Sequence, residues 1–426
     1  MYENLKGKKL LLLGSDSSDA EIVRTAHSLG VYVICADGKE KSIYTVAKNI
    51  ADEAWFVDYS KTEEVAKMAI AAGVDGVFAG YSEFRVFAAE KIARAMGKPF
   101  YATEESLKIT SDKFLFKEMC RKYGVDVPNY ILLGNVPTGK ALDDINLTFP
   151  VIVKPVDGAG RKGIGTCKSK DELPAAVENA LSHSVIKKII VEEYIGGSEF
   201  SAVYIIKDGE VSLALLKDKY LQADKRGGYN RHFNLYPSNN LDLFMKTANE
   251  NMKSLMRDGV GARYGAVMIQ GKFCDGKFYA FEANFRLGSG DDHYNIEKEH
   301  GLNHVKMMIS YSLTGDMQDD IGKNSPYFSE YYGSLSPCLR AGTIGEMKCP
   351  DVGDIPEIVK VIPYKAAGMT VSEEMTTAQV CWNIFFVADT KEKMKNAVNY
   401  VQDNLSVTDT DGKSMLFEKF DTNTLN

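Results

Sequence analysis

The chain has 426 residues, of which 45% are hydrophobic and 26% charged, and its formal net charge is −7. These values are ordinary for a globular protein of more than one domain, and no basic block points to nucleic acid as the main partner. The longest apolar run near the N-terminus, Leu10–Leu13, is too short for a signal peptide or a membrane span. The seven cysteines follow no CxxC or Cys/His pattern, so we expect reduced thiols in a cytoplasmic protein.

The first hundred residues alternate short apolar strands with helices. The predicted elements are strands 8–14, 31–37, 54–57 and 73–80 and helices 20–29, 62–72 and 84–96. This βαβ order predicts a Rossmann-like, doubly wound parallel sheet. Gly14 is followed by Ser, Asp and Ser, without the later glycines of a dinucleotide turn, so we expect no nucleotide there. Glu83 follows the last strand and is a candidate either for substrate contact or for a helix start.

Two lysines and a glycine-rich loop come next. Lys113 lies near the start of a predicted helix, 111–123, and Lys154 near the end of a predicted strand, 149–155. Residues 157–165 then carry four glycines, with Arg161 and Lys162 among them, and such a backbone can fold around an anion. By itself the loop could equally be a plain hairpin turn, and it lacks the Gly-Lys-Ser/Thr of a P-loop.

A strand–turn–strand segment follows at 189–206. Acidic side chains flank its Gly-Gly turn: Glu192 and Glu193 before it and Glu199 after it. Carboxylates in such a position can accept hydrogen bonds from an adenine amino group and from ribose hydroxyls. Taken alone, the segment is better explained as charged strand ends in solvent.

A hairpin with an Asp-Gly turn is predicted across 267–284. Glu282 and Asn284 are two residues apart, so both side chains leave the same face of the second strand, and Gln270 on the first strand can point the same way. One carboxylate with two amide oxygens suits Mg²⁺, with Mn²⁺ as the alternative ion. Arg286 extends this face with a positive fork for phosphate.

The order of these pieces resembles the ATP-grasp superfamily. The motifs are Ser-Asp-Lys at 111–113, Val-Lys-Pro at 153–155, the glycine loop, Glu-Glu-Tyr-Ile-Gly-Gly-Ser-Glu at 192–199 and Glu-Ala-Asn-Phe-Arg at 282–286. The resemblance implies α/β and α+β units: a Rossmann-like pre-ATP-grasp domain at 1–110, an ATP-grasp domain at 111–320 with a lid at about 125–190, and a small α+β domain at 321–426. The layout of this C-terminal unit resembles those of biotin carboxylase and L-amino acid ligases.

The resemblance also implies a role for each motif residue. Nucleotide contacts fall to Lys113, Lys154, Gly158, Gly160, Gly163, Glu192, Glu193, Ile195 and Glu199. Metal ligation falls to Gln270, Glu282 and Asn284. The catalytic residues are Lys154 and Arg286, with Arg286 stabilising the transferring phosphoryl group.

The substrate pocket is predicted from less specific signals. Arg226 is a candidate for a substrate carboxylate, although a solvated loop is the commoner outcome at such a position. Gly288 and Ser289 can form a loop of close approach, and His293 is a candidate base for an amine. An equal alternative is that 288–293 only caps a helix predicted at about 295–312.

The function that this resemblance implies is an ATP-dependent carboxylate–amine ligase of the amino acid type, which acts through an acylphosphate and releases ADP and phosphate. Its partners would be a small-molecule carboxylate and an amine, neither nucleic acid nor membrane, and a homodimer is expected. One alternative is a bicarbonate-activating enzyme like carbamoyl-phosphate synthetase or biotin carboxylase. A third reading is an ATP sensor without catalysis.

Overall fold

The computed structural model describes residues 2–158, 162–223, 229–288, 292–372 and 379–425, and all statements on structure refer to them. In these ranges the chain forms one parallel sheet and three antiparallel sheets surrounded by helices. The α/β and α+β class predicted from the sequence is confirmed. None of the described helices combines the length and apolar composition needed to cross a membrane.

The N-terminal unit is a four-stranded parallel sheet with the strand order β3-β2-β1-β4. Its elements are β1 (Lys9–Leu13), α1 (Ala20–Ser28), β2 (Tyr32–Ala36), α2 (Val46–Ile50), β3 (Glu53–Trp55), α3 (Thr62–Ala71), β4 (Gly76–Phe78) and α4 (Glu83–Ala95). Strand β1 is central because four consecutive leucines bury both of its faces. The predicted Rossmann-like sheet is thus confirmed, while α2, five residues long, is too short to show a helical period in the sequence.

Arg85 fills the turn after β1. Gly14 has a φ of +116°, and a Cβ there would lie 1.9 Å from the Arg85 guanidinium. That guanidinium donates to Asp19 at 2.6 Å and to Asp16 at 2.7 Å. The two acids after Gly14 are therefore neutralised within the N-terminal unit.

Two helices lead into a smaller antiparallel sheet with the strand order β5-β8-β6-β7. The elements are α5 (Glu104–Ser111), α6 (Lys113–Lys122), β5 (Tyr130–Leu133), α7 (Lys140–Asp143), β6 (Val151–Pro155), β7 (Gly165–Cys167), α8 (Leu173–Ser182) and β8 (Ile189–Glu193). This sheet with α8 has a core of its own. It coincides with the segment predicted to be the lid.

The rest of the chain builds an eight-stranded sheet with the order β13-β12-β9-β10-β11-β14-β18-β16. Its first part contains β9 (Ser198–Lys207), β10 (Glu210–Ala223), β11 (Tyr229–Tyr236), α9 (Leu241–Thr247), α10 (Asn249–Ser254), a π-helical turn (Leu255–Gly259), β12 (Gly265–Cys274), β13 (Lys277–Asn284), α11 (His293–His300) and α12 (His304–Thr314). Its second part contains β14 (Tyr331–Leu335), β15 (Gly342–Lys348), β16 (Ile358–Pro363), β17 (Thr370–Val371), β18 (Trp382–Ala388), α13 (Lys391–Asn404) and β19 (Ser406–Asp409).

The large sheet runs across the predicted domain boundary at residue 320. Strands β14, β18 and β16 come from the C-terminal segment, yet they pair in series onto β11. Only β15, β17 and β19 form a separate three-stranded sheet. The division into three domains stays a prediction, and its last boundary cuts through one sheet.

The helix predicted at about 295–312 is two helices. Gly301 ends α11 in the left-handed conformation, with a φ of +69°. Asn303 then starts α12, because its side chain accepts from the backbone N–H groups of Val305 and Lys306. Helix α12 packs closely on the N-terminal sheet: a Cβ on Gly76 of β4 would lie 2.0 Å from the Ser312 carbonyl oxygen.

Candidate active site

A buried glutamate between two lysines lies where the small sheet meets α6. Ile152 of β6 is opposite Glu192 of β8, so Lys154, two residues on, shares its face. Lys154 hydrogen-bonds Glu192 Oε1, and Lys117 Nζ of α6 lies 3.1 Å from Oε2. Burial pushes the pKa of Glu192 upward, but the two lysines outweigh it and the pKa is lowered.

This arrangement engages residues that the sequence assigns to ATP. Both carboxylate oxygens of Glu192, predicted to face adenine, are paired with ammonium groups. Lys154, predicted to bind phosphate, is one of those partners. The sequence patterns do not single out Lys117, although its spacing of four residues from Lys113 puts both lysines on one face of α6.

Lys113 joins the start of α6 to the glycine loop. Asp112 caps this helix. The Lys113 backbone N–H donates to the Val156 carbonyl, and the Lys113 ammonium donates to the Gly158 carbonyl. Its pKa is lowered, mainly by burial and further by Lys154, while Glu282 opposes the shift. Lys113 therefore lies near both Lys154 and Glu282.

The base of the glycine loop is fixed at both sides of its undescribed centre. Asp157 accepts hydrogen bonds from the Ser184 hydroxyl at 2.7 Å and from the next two backbone N–H groups at 2.8 and 3.1 Å. Gly163 has a φ of +73°, and a Cβ there would come within 2.7 Å of the His183 Cβ. Gly158 and Gly163 are thus placed at the loop's two ends, whereas Gly160 lies outside the described residues.

The turn after β8 separates the acids predicted for the nucleotide. The Glu193 carboxylate accepts from Asn129 Nδ2 at 2.9 Å and from the Thr148 N–H at 2.8 Å, so it fastens neighbouring loops. Ile195 is half-buried in the turn. Glu199 lies on β9 opposite Lys219 of β10, at 3.3 Å from its ammonium.

Gln270 and Glu282 face each other across the β12–β13 hairpin. Gln270 Nε2 donates to Glu282 Oε1 at 2.9 Å, and Lys219 donates to Gln270 Oε1 at 2.6 Å. Asn284 follows on the same strand, and its Oδ1 accepts from Arg286 at 3.1 Å. The structure therefore brings the three predicted metal ligands onto one hairpin and adds Lys219, which the motifs do not indicate.

Arg286 and Glu83 come from distant parts of the chain and interact electrostatically. Burial raises the pKa of Glu83 and lowers that of Arg286, and each charge opposes the shift of the other. Glu282 and Lys113 act on Glu83 as well. Arg286 Nε and Asn284 Nδ2 are buried donors with no hydrogen-bond partner among the described residues, and an acceptor such as a phosphate oxygen would satisfy them.

The other predicted substrate residues come together less well. Arg226 and Ser289 lie outside the described residues, and Gly288 ends the range 229–288. His293 begins α11 in the interior, where burial lowers its pKa to about 3. A group with that pKa is a weak base at neutral pH, which disfavours His293 as a general base. Its neighbour Asp292 forms a buried ion pair with Lys217 of β10 at 2.5 Å.

The oxygen atoms of the hairpin fit a magnesium ion. No cluster of three or more His, Cys, Asp or Glu side chains that could hold a metal occurs in the described part of the chain. A Mg²⁺ site of one carboxylate completed by amide and phosphate oxygens needs no such cluster. Glu282 provides the carboxylate, and the two amide oxygens would each have to exchange a donor for the ion: Asn284 Oδ1 releases Arg286 and Gln270 Oε1 releases Lys219.

Part of the chain matches a known family and known ligases. Residues 119–251 match the family described as D-ala D-ala ligase C-terminus. A D-alanine–D-alanine ligase of Helicobacter pylori (strain P12) is 28% identical over 167 residues, which are 36% of this chain and 45% of that protein. The ATP-grasp enzyme fsqD of Aspergillus fumigatus is 27% identical over 212 residues, 47% of this chain and 35% of that enzyme.

A solved structure covers much more of the chain. The L-amino acid ligase of Bacillus licheniformis superposes with a TM-score of 0.76 at 17% identity, over 95% of this chain and 99% of that one. At this identity the likeness concerns the fold. The chain spans less than half of the length of the two curated relatives above.

Proposed function

We propose, from the premise that this chain belongs to the ATP-grasp superfamily, that it is an ATP-dependent ligase joining a small-molecule carboxylate to an amine. The reaction would pass through an acylphosphate and release ADP and phosphate. Enzymes of this superfamily use ATP with Mg²⁺ on such substrates. The amino acid type of substrate rests on the likeness to the two amino acid ligases and belongs to the proposal.

One observation carries the proposal: positive groups from separate elements lie near Glu282 of the β12–β13 hairpin. Lys113 and Lys154 lie together at the base of the glycine loop, and the charges of Glu282 and Glu83 raise the pKa of Lys113 against the effect of burial. Arg286 adds a buried guanidinium with an unsatisfied N–H. Several positive charges and orphaned donors in one cleft suit a polyanion such as triphosphate.

The residues divide the phosphoryl transfer among them. Lys113 and Lys154 would bind the phosphates, and Arg286 would neutralise the charge on the transferring group, because positioning and charge stabilisation dominate this chemistry. Glu282 and Asn284 would hold Mg²⁺, with Gln270 as a neutral third ligand, and the ion would supply further charge neutralisation. The glycine loop, 157–165, would cover the phosphates and exclude water.

The adenine and ribose of the nucleotide would contact β8, β9 and the turn between them. We assign the adenine amino group to Glu192, the remaining base contacts to the backbone at Glu193 and Ile195, and the ribose to Glu199. Glu83, which interacts electrostatically with Arg286, and Gly288 are the described candidates that remain for the substrate. The homodimer, the cytoplasmic location and the three-domain division are further parts of this proposal, and the seven free thiols fit a reducing compartment.

The test is ADP and phosphate release with Mg-ATP across a panel of carboxylic acids, amino acids, amino acid pairs and bicarbonate. We expect release that requires a carboxylate and an amine together. Release with bicarbonate alone would instead favour the carbamoyl-phosphate-synthetase-like or biotin-carboxylase-like enzyme. ATP binding without turnover on any substrate would favour a sensor.

The metal assignment has its own test. Glu282→Gln removes the one carboxylate of the set, so we expect turnover to fall on the order of a hundredfold and the Mg²⁺ concentration for half-maximal rate to rise. Glu346→Gln, at an exposed position of β15, is the matched control and should behave as wild type. An unchanged Mg²⁺ dependence in Glu282→Gln would refute the assignment.

A further inference from the structure

The two lysines that pair with Glu192 are held unequally. The Lys117 side chain is 0% exposed, and its ammonium contacts Glu192 Oε2 at 3.1 Å and the Phe281 carbonyl at 3.4 Å. Lys154, 9% exposed, ends β6 beside the glycine loop and hydrogen-bonds Glu192 Oε1. Lys117 therefore lies in the interior with an ion pair to Glu192 and a hydrogen bond to the Phe281 carbonyl, whereas Lys154 lies next to the proposed phosphate site.

The cluster carries more positive than negative charge. The ammonium groups of Lys117 and Lys154 share the one carboxylate of Glu192, whereas the charge of Lys113 is opposed by Glu282 and Glu83. One carboxylate compensates only one ammonium charge, so one of the two lysines is in surplus. A buried charge without a partner is unfavourable. A triphosphate would take up that surplus if Lys154 turned toward it.

We infer that Lys117 is a positioning residue for nucleotide binding, which keeps Glu192 compensated while Lys154 leaves Glu192 for the ATP phosphates. The inference rests on the proposed function, since it takes ATP as the ligand. The departure of Lys154 frees Oε1 as an acceptor for the adenine amino group. Guanine carries a carbonyl oxygen at that ring position, so the same exchange sets the preference for ATP over GTP.

Without Lys117, Lys154 is the one remaining side chain in ion-pair contact with Glu192 among the described residues. The exchange would then leave a buried carboxylate unpaired, so Lys154 stays on Glu192 and the phosphates lose a contact. Removing the carboxylate as well releases Lys154 again. The phosphate affinity therefore depends on Lys117 only as long as Glu192 is charged.

The experiment measures equilibrium binding of ATP, GTP and inorganic tripolyphosphate to the full chain, in four forms: wild type, Lys117→Met, Glu192→Gln and the double variant. Methionine keeps the length and apolar packing of the lysine stem. We expect Lys117→Met to bind ATP and tripolyphosphate at least tenfold more weakly, on the order expected for one charged contact. The double variant should recover tripolyphosphate binding to within about threefold of wild type but not the preference for ATP over GTP.

Lys122→Met, at the exposed end of α6, is the control and should bind all three probes as wild type does. Equal weakening in Lys117→Met and in the double variant would overturn the inference, because Lys117 would then act on the phosphates directly or on the fold. Unchanged binding in Lys117→Met would overturn it as well. A wild-type chain that binds no ATP would overturn both this inference and the proposed function.

If Lys117→Met does not fold, a second comparison still tests the inference. Glu192→Gln and the double variant differ only at Lys117, and both lack the carboxylate. Equal affinity for tripolyphosphate in these two supports a role through Glu192. Weaker binding in the double variant contradicts it.

Discussion

Two halves of the proposed active site compensate their charges in different ways: a nucleotide half, and an acceptor half named for the amine first predicted to meet His293. The nucleotide half, formed by Lys113, Lys154, Glu192, Glu282 and Arg286, shares charges among several partners and leaves buried donors unsatisfied. In the acceptor half, formed by Lys217, Asp292 and His293, a carboxylate and an ammonium pair at 2.5 Å and the imidazole is buried.

The difference indicates what each half is built to do. Surplus buried positive charge is stabilised by a ligand that brings negative charge, so the nucleotide half suits an anion. In the acceptor half the Lys217–Asp292 pair balances one charge of each sign and joins the start of α11 to β10, although Asp292 Oδ1 and His293 Nε2 also lack a hydrogen-bond partner among the described residues. Changes in the acceptor half should therefore affect stability first, and changes in the nucleotide half should affect turnover first.

The largest effect is expected from Lys217→Met. It leaves Asp292 buried without this partner, which should lower the free energy of unfolding by about 3–5 kcal/mol in urea denaturation. Lys419→Met breaks a pair of similar length, 2.6 Å from Asp403, on the exposed surface, and should cost less than about 1 kcal/mol. Equal losses in the two variants would break the comparison at the acceptor half.

Arg286→Ala is expected to have the next largest effect, this time on rate. We expect kcat to fall about 10²–10³-fold, with a smaller change in KM, because the guanidinium is needed most where charge develops. Thermal unfolding should move far less than in Lys217→Met, and Arg257→Ala, at an exposed site, serves as the control. A stability loss with kcat preserved would reverse the roles assigned to the two halves.

The smallest effect concerns pH and His293. Its pKa is about 3 in the folded protein and about 6.5 in the unfolded chain, so unfolding takes up a proton at mildly acidic pH. The stability it contributes is complete above about pH 6.5 and is lost as the pH falls toward 3, with about 2 kcal/mol gone by about pH 5. Urea unfolding of His293→Gln should lack this loss, whereas His183→Gln, exposed on the small sheet's helix, should retain it. If the free energy of unfolding fell equally with pH in wild type and in His293→Gln, the imidazole would not be buried and neutral in the folded protein.

The sequence predicts local elements of the fold better than contacts between distant elements. The parallel N-terminal sheet and the β12–β13 hairpin follow from local apolar patterns and an Asp-Gly turn, and the structure confirms them. The role of Lys117 is not predicted, because it comes from a partner on another element, Glu192. The burial of His293 escapes for the same reason, since only the packed α11 reveals it.

The pairing of β14 onto β11 is also invisible in a local pattern. Nearly a hundred residues separate these strands, and register between distant segments is set by the assembled fold. The predicted boundary at residue 320 follows composition and motif order, which carry no information on this pairing.

That pairing has a consequence for how the protein is made. While the chain is being synthesised, β11 remains an open sheet edge until β14 has emerged, and β18 and β16 can join only after that. An open edge with unpaired N–H and C=O groups invites pairing with other chains. The nascent protein thus spends the interval from β11 to β18 in its most aggregation-prone form, and a chaperone or a slow stretch of codons would matter most in that interval.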